Sequence, residues 1–367
     1  VQITTRMLEN MFLIESRDII LKAAVRLVNR GSLKSFGPLS IEGEGSVFNY
    51  AEMVAEEALT LNVRGDVHNY QGGKIGDASA VTVTGHNIHQ HGVVRSTGEL
   101  SIKAEHIQHT GEVSGTAVVI DGGLANVGIV QASKTLSIIC SNPVHNRGEL
   151  QTSHLYLMGG SFLNENPLDV GLLFTRNAHF VNKSPMTVQY WRTALDTFLN
   201  EGSMKIGVLS YSAEDHIVQR FLNRGSLHFA TSVLLRSVEF FNEGQVSSDH
   251  DIVIEGGNIH QHGALTGKTV TAQSQSFVGT GTTRGIQQLR VIAQLLENAG
   301  RFESDRIRLR IAGRLENRGT LESFGSLGIT GEASVLNYQD ILAQGAITIK
   351  IQGELFNHKG AQLSAVE

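Results

Sequence analysis

Hydrophobic and polar positions alternate with a period of two in short runs along this chain, and the runs recur about every 19 residues. Clear examples are residues 81–84, 252–255 and 347–351. Such alternation predicts short strands with one buried face. The run at 287–296 comes closest to an amphipathic helix, but its β-branched centre also favours a strand. The pattern therefore predicts a protein built from strands alone.

One marked position allows the repeat to be followed through the chain. It is occupied by Asn10, Asn29, Asn49, Asn69, Asn126, Asn146, Asn164, Asn182, Asn200, Asn223, Asn242, Asn298, Asn317, Asn337 and Asn357, and by the substitutes Gln90, His109, Gln261 and Gly279. Asparagine tolerates the left-handed backbone of a sharp corner. Stacked amides can also hydrogen-bond along a column. We expect the asparagines from Asn29 to Asn357 to form such a structural ladder.

Strands that return every 19 residues in the same direction require each repeat to make a full circuit. The sequence therefore predicts an all-β fold, a right-handed parallel β-helix (solenoid) of about 19 coils. We expect residues 1–367 to form a single elongated domain, with irregular, insert-bearing coils at about 160–222. The sequence of residues 27–50 recurs in similar form at 315–338, and that of residues 87–92 recurs at 258–263. These recurrences indicate that the chain grew by duplication of blocks of sequence.

Composition narrows the range of functions. The net charge of the 367 residues is −5, so nothing favours a nucleic-acid partner. No apolar run reaches the roughly 18 residues of a membrane span, and we expect no membrane insertion. The lone cysteine, Cys140, excludes an intrachain disulfide. Because the chain starts at Val1 without a signal-like segment, we expect it to be a fragment of a longer protein.

The irregular middle coils hold the candidate binding residues. Loops that leave a rigid scaffold are common places for recognition. The sequence there contains the only tryptophan and a local group of charged and imidazole side chains. The candidates are Trp191, Arg192, Glu214, Asp215 and His216.

Two further motifs resemble known kinds of binding site. His89 and His91 recur as His260 and His262, and imidazoles two residues apart on a strand could hold a metal ion. No Cys, Asp or Glu completes a ligand set at a fixed spacing, so we interpret them as solvated histidines facing turns and predict neither a metal nor a cofactor. The integrin-type tripeptide at 64–66 opens a strand rather than a long loop, and we interpret it as a chance match.

No catalytic residue is predicted. Carbohydrate enzymes with this architecture need acidic residues grouped on one face, as calcium ligands or as paired carboxylates. Here the acids are scattered along the chain, and the glycine-rich stretch 279–285 opens no helix that could bind a phosphate.

The unit at residues 27–43 resembles the haemagglutinin repeat of filamentous-haemagglutinin-like proteins. Its sequence pattern is L-x-N-R-G-x-L-x-S-x-G-x-L-x-I-x-G, and looser matches to the pattern occur at 144–158, 221–229 and 315–331. These proteins are large bacterial exoproteins of two-partner secretion, including the stalks of contact-dependent inhibition toxins. The resemblance implies a right-handed β-helical fibre that displays adhesive or toxic segments, and it lends no catalytic residues.

Together these observations predict a non-enzymatic structural or adhesive segment of an exoprotein that is secreted or held at the bacterial cell surface. Its expected partners are a protein or glycan receptor on another cell, or other segments of the same exoprotein. Two alternatives stay open. One is a polysaccharide-processing β-helix enzyme, a lyase or glycosidase, acting at the middle coils near Trp191, Asp215 and His216. The other is a partner-binding module of a larger toxin or effector.

Overall fold

The computed structural model describes residues 1–211 and 216–366, and this part of the chain contains strands, turns and bends but no helix. The first seventeen strands are β1 Gln2–Asn10, β2 Leu13–Ser16, β3 Ile19–Asn29, β4 Ser32–Ser35, β5 Leu39–Gly43, β6 Ser46–Asn49, β7 Glu52–Ala55, β8 Ala58–Val63, β9 Val67–Asn69, β10 Lys74–Thr84, β11 Asn87–Gln90, β12 Val93–His109, β13 Glu112–Asn126, β14 Ile129–Cys140, β15 Val144–Asn146, β16 Glu149–Asn164 and β17 Leu168–Asn182. The others are β18 Met186–Thr193, β19 Thr197–Asn200, β20 Ser203–Tyr211, β21 Val218–Asn223, β22 Ser226–Phe229, β23 Val233–Asn242, β24 Gln245–Ser248, β25 Ile252–Gln261, β26 Ala264–Gly279, β27 Thr282–Asn298, β28 Arg301–Asn317, β29 Thr320–Gly331, β30 Ser334–Asn337, β31 Ile341–Ala343, β32 Ile347–Ile351, β33 Leu355–Asn357 and β34 Leu363–Ala365.

Strands of successive coils pair in parallel and in register. Leu33 of β4 lies opposite Met53 of β7, and Leu39 of β5 lies opposite Leu59 of β8. The same arrangement recurs through the described residues, so the strands stack as a β-solenoid of about 19 turns. The all-β solenoid expected from the period of the sequence is confirmed.

Several strands are longer than the five or so residues expected for each side of a coil. Strands β12, β27 and β28 each run for 17 residues and pass through a corner of the coil without a break. The register of β12 against β13 shifts between Arg95 and Glu99 and again between Lys103 and His106. Such irregularities let a strand bend while most of its hydrogen bonds persist, so these coils turn without a separate loop.

The core is made of columns of inward-facing side chains, one from each coil. In residues 180–240 the column beside the asparagines is aromatic, and it consists of Phe180, Phe198, Phe221 and Phe240. The centroids of successive rings are 6.1, 4.7 and 5.2 Å apart. Ring pairs at these distances stabilise a core beyond the area that they bury. Each coil is therefore held by its neighbours along the column as well as by the backbone ladder.

The described residues form two compact units. Unit 1 comprises residues 1–178 and 183–185, and unit 2 comprises residues 179–182 and 186–366. Nine of the marked positions lie in unit 1 and ten in unit 2. The expectation of one single domain stays a prediction.

Candidate functional site

The marked asparagines of unit 1 form a chain of side-chain hydrogen bonds. The Nδ2 group of Asn29 donates to Oδ1 of Asn49, and Asn49 donates in the same way to Asn69, each at 2.8 Å. A second part of the chain joins Asn126 to Asn146 at 2.8 Å and Asn146 to Asn164 at 2.9 Å. These amides are buried. Because Asn29, Asn49 and Asn146 each accept from one coil and donate to the next, burial leaves little of their hydrogen-bonding capacity unused.

Unit 2 repeats this arrangement. Its first run passes through Asn182, Asn200, Asn223 and Asn242 to Gln261, with donor–acceptor distances of 2.8 to 3.0 Å. Its second run passes through Asn298, Asn317, Asn337 and Asn357, with distances of 2.7 to 2.8 Å. Glutamine occupies the marked position in two coils. Gln90 accepts a hydrogen bond from Asn69 in unit 1, and Gln261 accepts one from Asn242 in unit 2. Each glutamine thus keeps the hydrogen bond from the preceding coil, but its own Nε2 group donates to backbone carbonyls instead of to the next marked side chain.

His109 interrupts the ladder of unit 1. It is buried, and its Nε2–H donates to the carbonyl of Ile129 at 3.0 Å. Among the described residues, neither its Nδ1 nor Oδ1 of Asn126 in the next coil has a hydrogen-bond partner. Burial lowers the pKa of His109 below its ordinary value. A histidine at this position therefore breaks the column and favours its own neutral form.

Gly279 interrupts the ladder of unit 2. A Cβ atom at Gly279 would lie 3.1 Å from Cε1 of Phe277 and 3.3 Å from Cε1 of Phe302. These two rings pack edge to face, with centroids 5.5 Å apart. The rings occupy the space beside this corner of the coil, so a side chain at the marked position would require them to shift by a few tenths of an ångström.

The repeated histidines lie on the outer side of the coil, next to the ladder, in matching surroundings. His89 stacks on His68 with ring centroids 4.6 Å apart, and His260 stacks on Phe241 at 4.5 Å. The second histidine of each pair hydrogen-bonds through Nδ1 to a threonine hydroxyl of the following coil, at 2.7 Å for both His91 and His262. Within residues 1–211 and 216–366, no three His, Cys, Asp or Glu side chains are grouped so that they could hold a metal ion.

Ring stacking continues outside the core of unit 1. Tyr50 and Tyr70 stack with centroids 4.3 Å apart, and the Arg30 guanidinium lies 4.5 Å from the centre of the Tyr50 ring. Each ring covers one face of the other, and Arg30 covers the second face of Tyr50. The rings therefore stabilise the outside of the solenoid.

The tripeptide at 64–66 is tied into the coil. Nη1 of Arg64 donates to Oε2 of Glu44 at 2.8 Å. Oδ1 of Asp66 accepts from the backbone N–H of Asn87 at 3.1 Å and from its Nδ2 at 2.9 Å. Both charged side chains have partners within the solenoid, and the interpretation of this tripeptide as a chance match stays a prediction.

Glu165 is a residue that the sequence reasoning missed. Its carboxylate accepts from Nε of Arg147 and from Nε2 of His145, each at 2.7 Å, and it lies 3.4 Å from Nζ of Lys183. Arg147 and then His145 hold its pKa at about 2. The three partners come from neighbouring coils, so this carboxylate links successive turns of unit 1. The sequence feature that could have indicated these contacts is a spacing of about one coil between residues of opposite charge.

The candidate residues of the middle coils are not all on the surface. Trp191 is only 3% exposed, and its ring centroid lies 5.4 Å from that of Phe180 and 5.5 Å from that of Phe198. Arg192 is exposed, and Nε2 of His216 is 2.8 Å from the carbonyl of Leu195. Glu214 and Asp215 lie outside the described residues. A binding site at these positions stays a prediction, and Trp191 contributes to the core.

Comparison with known proteins gives a further line of evidence. No protein-family model and no solved structure matches the chain. Among curated proteins, the chain is similar to the tRNA nuclease CdiA of Yersinia mollaretii, with 22% identity over 373 residues. The alignment covers 98% of this chain but only 11% of that protein, so the chain spans about a tenth of the length of its relative.

The solenoid and this similarity fit the filamentous-haemagglutinin-like repeat proteins of two-partner secretion. The resemblance inferred from the repeat at residues 27–43 is therefore confirmed. The similarity and the β-helix fold support a structural segment of a contact-dependent inhibition or other secreted exoprotein. No helix of the described residues is long and apolar enough to cross a membrane.

Proposed function

We propose that this chain is a non-enzymatic, adhesive structural segment of a bacterial exoprotein that is secreted or held at the cell surface. The observation that carries the proposal is the alignment of 98% of the chain with 11% of a much longer relative. A segment of this kind contributes length and surface to a larger protein, while the activity named for the relative belongs to that whole protein.

The contacts of the chain support a structural role. The buried amides are used to join one coil to the next, as in the run from Asn29 to Asn69. Cross-coil ion pairs such as Arg224 with Glu243 at 2.9 Å do the same on the outside. Side chains that bind one another along the axis make each coil a support for its neighbours, which is the general basis of stability in repeat proteins.

The partners that we propose are a protein or glycan receptor on another cell, or other segments of the same exoprotein. The net charge of −5 disfavours nucleic acid and anionic membrane surfaces. The stacked rings beside the ladder leave the adhesive role to other surfaces of the coils.

Binding to intact cells tests the adhesive role. The folded chain, labelled with a fluorophore, would be added to suspensions of bacterial and of host cells, with unlabelled chain as competitor. We expect saturable binding to at least one cell type that the unlabelled chain displaces and the heat-unfolded chain does not reproduce. Folded chain that binds no cell type above the background of an unrelated solenoid would contradict the adhesive role.

A further inference from the structure

Each unit has an open groove at a corresponding corner of the coil. The groove of unit 2 has a volume of about 640 Å³ and includes Glu255 and Gly256, which follow the inward-facing Ile254. The groove of unit 1 has a volume of about 420 Å³ and includes Glu42 and Gly43, which follow the inward-facing Ile41. In both cases the glycine precedes the marked position of the ladder by five or six residues.

The two grooves are lined by the same order of side chains across three coils. In unit 2, Arg236 lies opposite Glu255, and Glu255 lies opposite Gln273. In unit 1 the corresponding residues, aligned in the same way, are Lys22, Glu42 and Asn62. The cation and the carboxylate are 3.1 Å apart in each groove. A cation, a carboxylate and an amide thus occur in one row in both units.

Small residues form the floor of the groove in unit 2. A Cβ atom at Gly256 would lie 2.9 Å from the carbonyl oxygen of Ser237, so a larger residue would crowd this corner. Ser237 and Ser274 flank Gly256 in the preceding and following coils, and both line the groove. Among the described residues, neither hydroxyl has a hydrogen-bond partner, although both oxygens are buried. An oxygen without accessible surface cannot contact a ligand directly, so these hydroxyls belong to the packing beneath the groove.

The chemistry of the grooves narrows the class of ligand. The charges cancel within each row, so the lining does not select an anionic polymer. The strands on both sides are already paired with their neighbours, so an extended peptide has no free backbone edge to join. In unit 2 the exposed Val238 and Ile217 lie beside the polar row. Charged and amide groups that can hydrogen-bond to hydroxyls, with an apolar surface beside them as in unit 2, suit a sugar ring, which presents both hydroxyls and C–H groups.

We propose that these corner grooves bind a neutral oligosaccharide lying along the row of cation, carboxylate and amide. Successive coils are about 4.8 Å apart, close to the length of one ring in an extended glycan, so each coil can present one polar side chain to each sugar. This inference rests on the proposed adhesive role and names the chemistry of the receptor.

The test uses isothermal titration of the full chain with three neutral hexasaccharides: cellohexaose, maltohexaose and chitohexaose. We expect at least one of them to bind saturably. The double variant Glu42→Gln/Glu255→Gln, which removes one carboxylate from each groove, should weaken that binding about tenfold or more because charge-assisted hydrogen bonds to the sugar are lost.

Asp121→Asn is the matched control. Asp121 forms a cross-coil ion pair with Lys103 at 2.9 Å but lines neither groove, so this variant should bind as the wild type does. All three variant positions are on the surface, and circular dichroism would verify that each variant is folded. The proposal is overturned if none of the three saccharides binds, or if the double variant binds as tightly as the control.

The cell-binding measurement separates this inference from the proposed function. Saturable binding of the labelled chain to cells, together with no binding of the saccharides, would refute the grooves as glycan sites and leave the adhesive role standing. Loss of cell binding in the double variant, with retention in Asp121→Asn, would support both.

Discussion

Removal of a single amide from the middle of the ladder should destabilise unit 1 measurably. The fully buried side chain of Asn49 accepts a hydrogen bond from Asn29 at 2.8 Å and donates to Oδ1 of Asn69 at 2.8 Å and to the carbonyl of Lys74 at 3.1 Å. Asn49→Ala deletes all three. At about 1 kcal/mol for each hydrogen bond, and with the Oδ1 atom of Asn69 left without its donor, the free energy of unfolding should fall by about 3 kcal/mol.

Urea unfolding followed by circular dichroism measures this change as a shift in the transition midpoint. The matched control is Asn62→Ala, which removes an exposed asparagine from a strand of the same unit and should change the free energy by less than about 0.5 kcal/mol. A double-mutant cycle with Asn69→Ala should give a coupling energy of about 1 kcal/mol or more, because the two amides share a hydrogen bond. Equal effects of Asn49→Ala and Asn62→Ala, or additive effects in the cycle, would refute the ladder as a source of stability.

Three further changes test other parts of the solenoid. Thr283→Val should raise the free energy of unfolding by about 1 kcal/mol in urea titrations, because the buried Thr283 hydroxyl lacks a partner among the described residues. Trp191→Ala should cost about 3–5 kcal/mol, whereas Tyr190→Ala, at a position that is 57% exposed, should cost far less in the same assay. The lowered pKa of His109 means that, as pH falls below the ordinary value of 6.5, the unfolded chain takes up a proton before the folded one, so stability should fall. His109→Asn should remove that part of the loss between about pH 7 and 5 and supply the missing donor to Asn126, which thermal unfolding at several pH values would detect.

The register of the solenoid could be predicted because one residue type recurs at a corner that every coil shares. The structure aligns His109 with Asn126 although only 17 residues separate them, and Asn200 with Asn223 although 23 do. The variation in coil length is therefore absorbed outside the marked strand. The sequence did not predict that a strand such as β12 would pass through a corner. Such a passage depends on backbone bulges, and no particular residue type marks their positions.

The surroundings of Trp191 could not be predicted, because the face of a strand reverses with a shift of one residue. Met186 and Val188 point inward, and strict alternation from there would place Tyr190 inside and Trp191 outside. The structure has Gln189 and Tyr190 both exposed, which moves Trp191 into the core. The only tryptophan of the chain was therefore a packing residue, although its rarity suggested a binding role.

A repeated sequence motif was a better guide to side-chain contacts than the rarity of a residue type. Ser35 and Ser323 stand 288 residues apart in the two copies of the longest repeat. The Ser35 hydroxyl lies 2.9 and 2.8 Å from the carbonyl oxygens of Arg17 and Pro38, and the Ser323 hydroxyl lies 3.0 Å from each of two carbonyls at the equivalent places. Both copies have serine at this position, because no apolar residue can replace its hydrogen bonds to the two carbonyl groups at the corner.

The position at which the two copies differ most in polarity shows how such a solenoid tolerates change. Val28 of the first copy is replaced by Glu316 in the second, and both side chains are almost fully buried. A buried carboxylate is costly unless it is paired. Arg314 and Arg318, two residues away on either side, point to the same side of the strand and both bind Glu316. The first copy carries arginines at the same two places, so both copies have the arginine pair and only the second has a carboxylate between the two arginines. A coil can therefore exchange an apolar for an acidic residue at this position where its own strand supplies the cations.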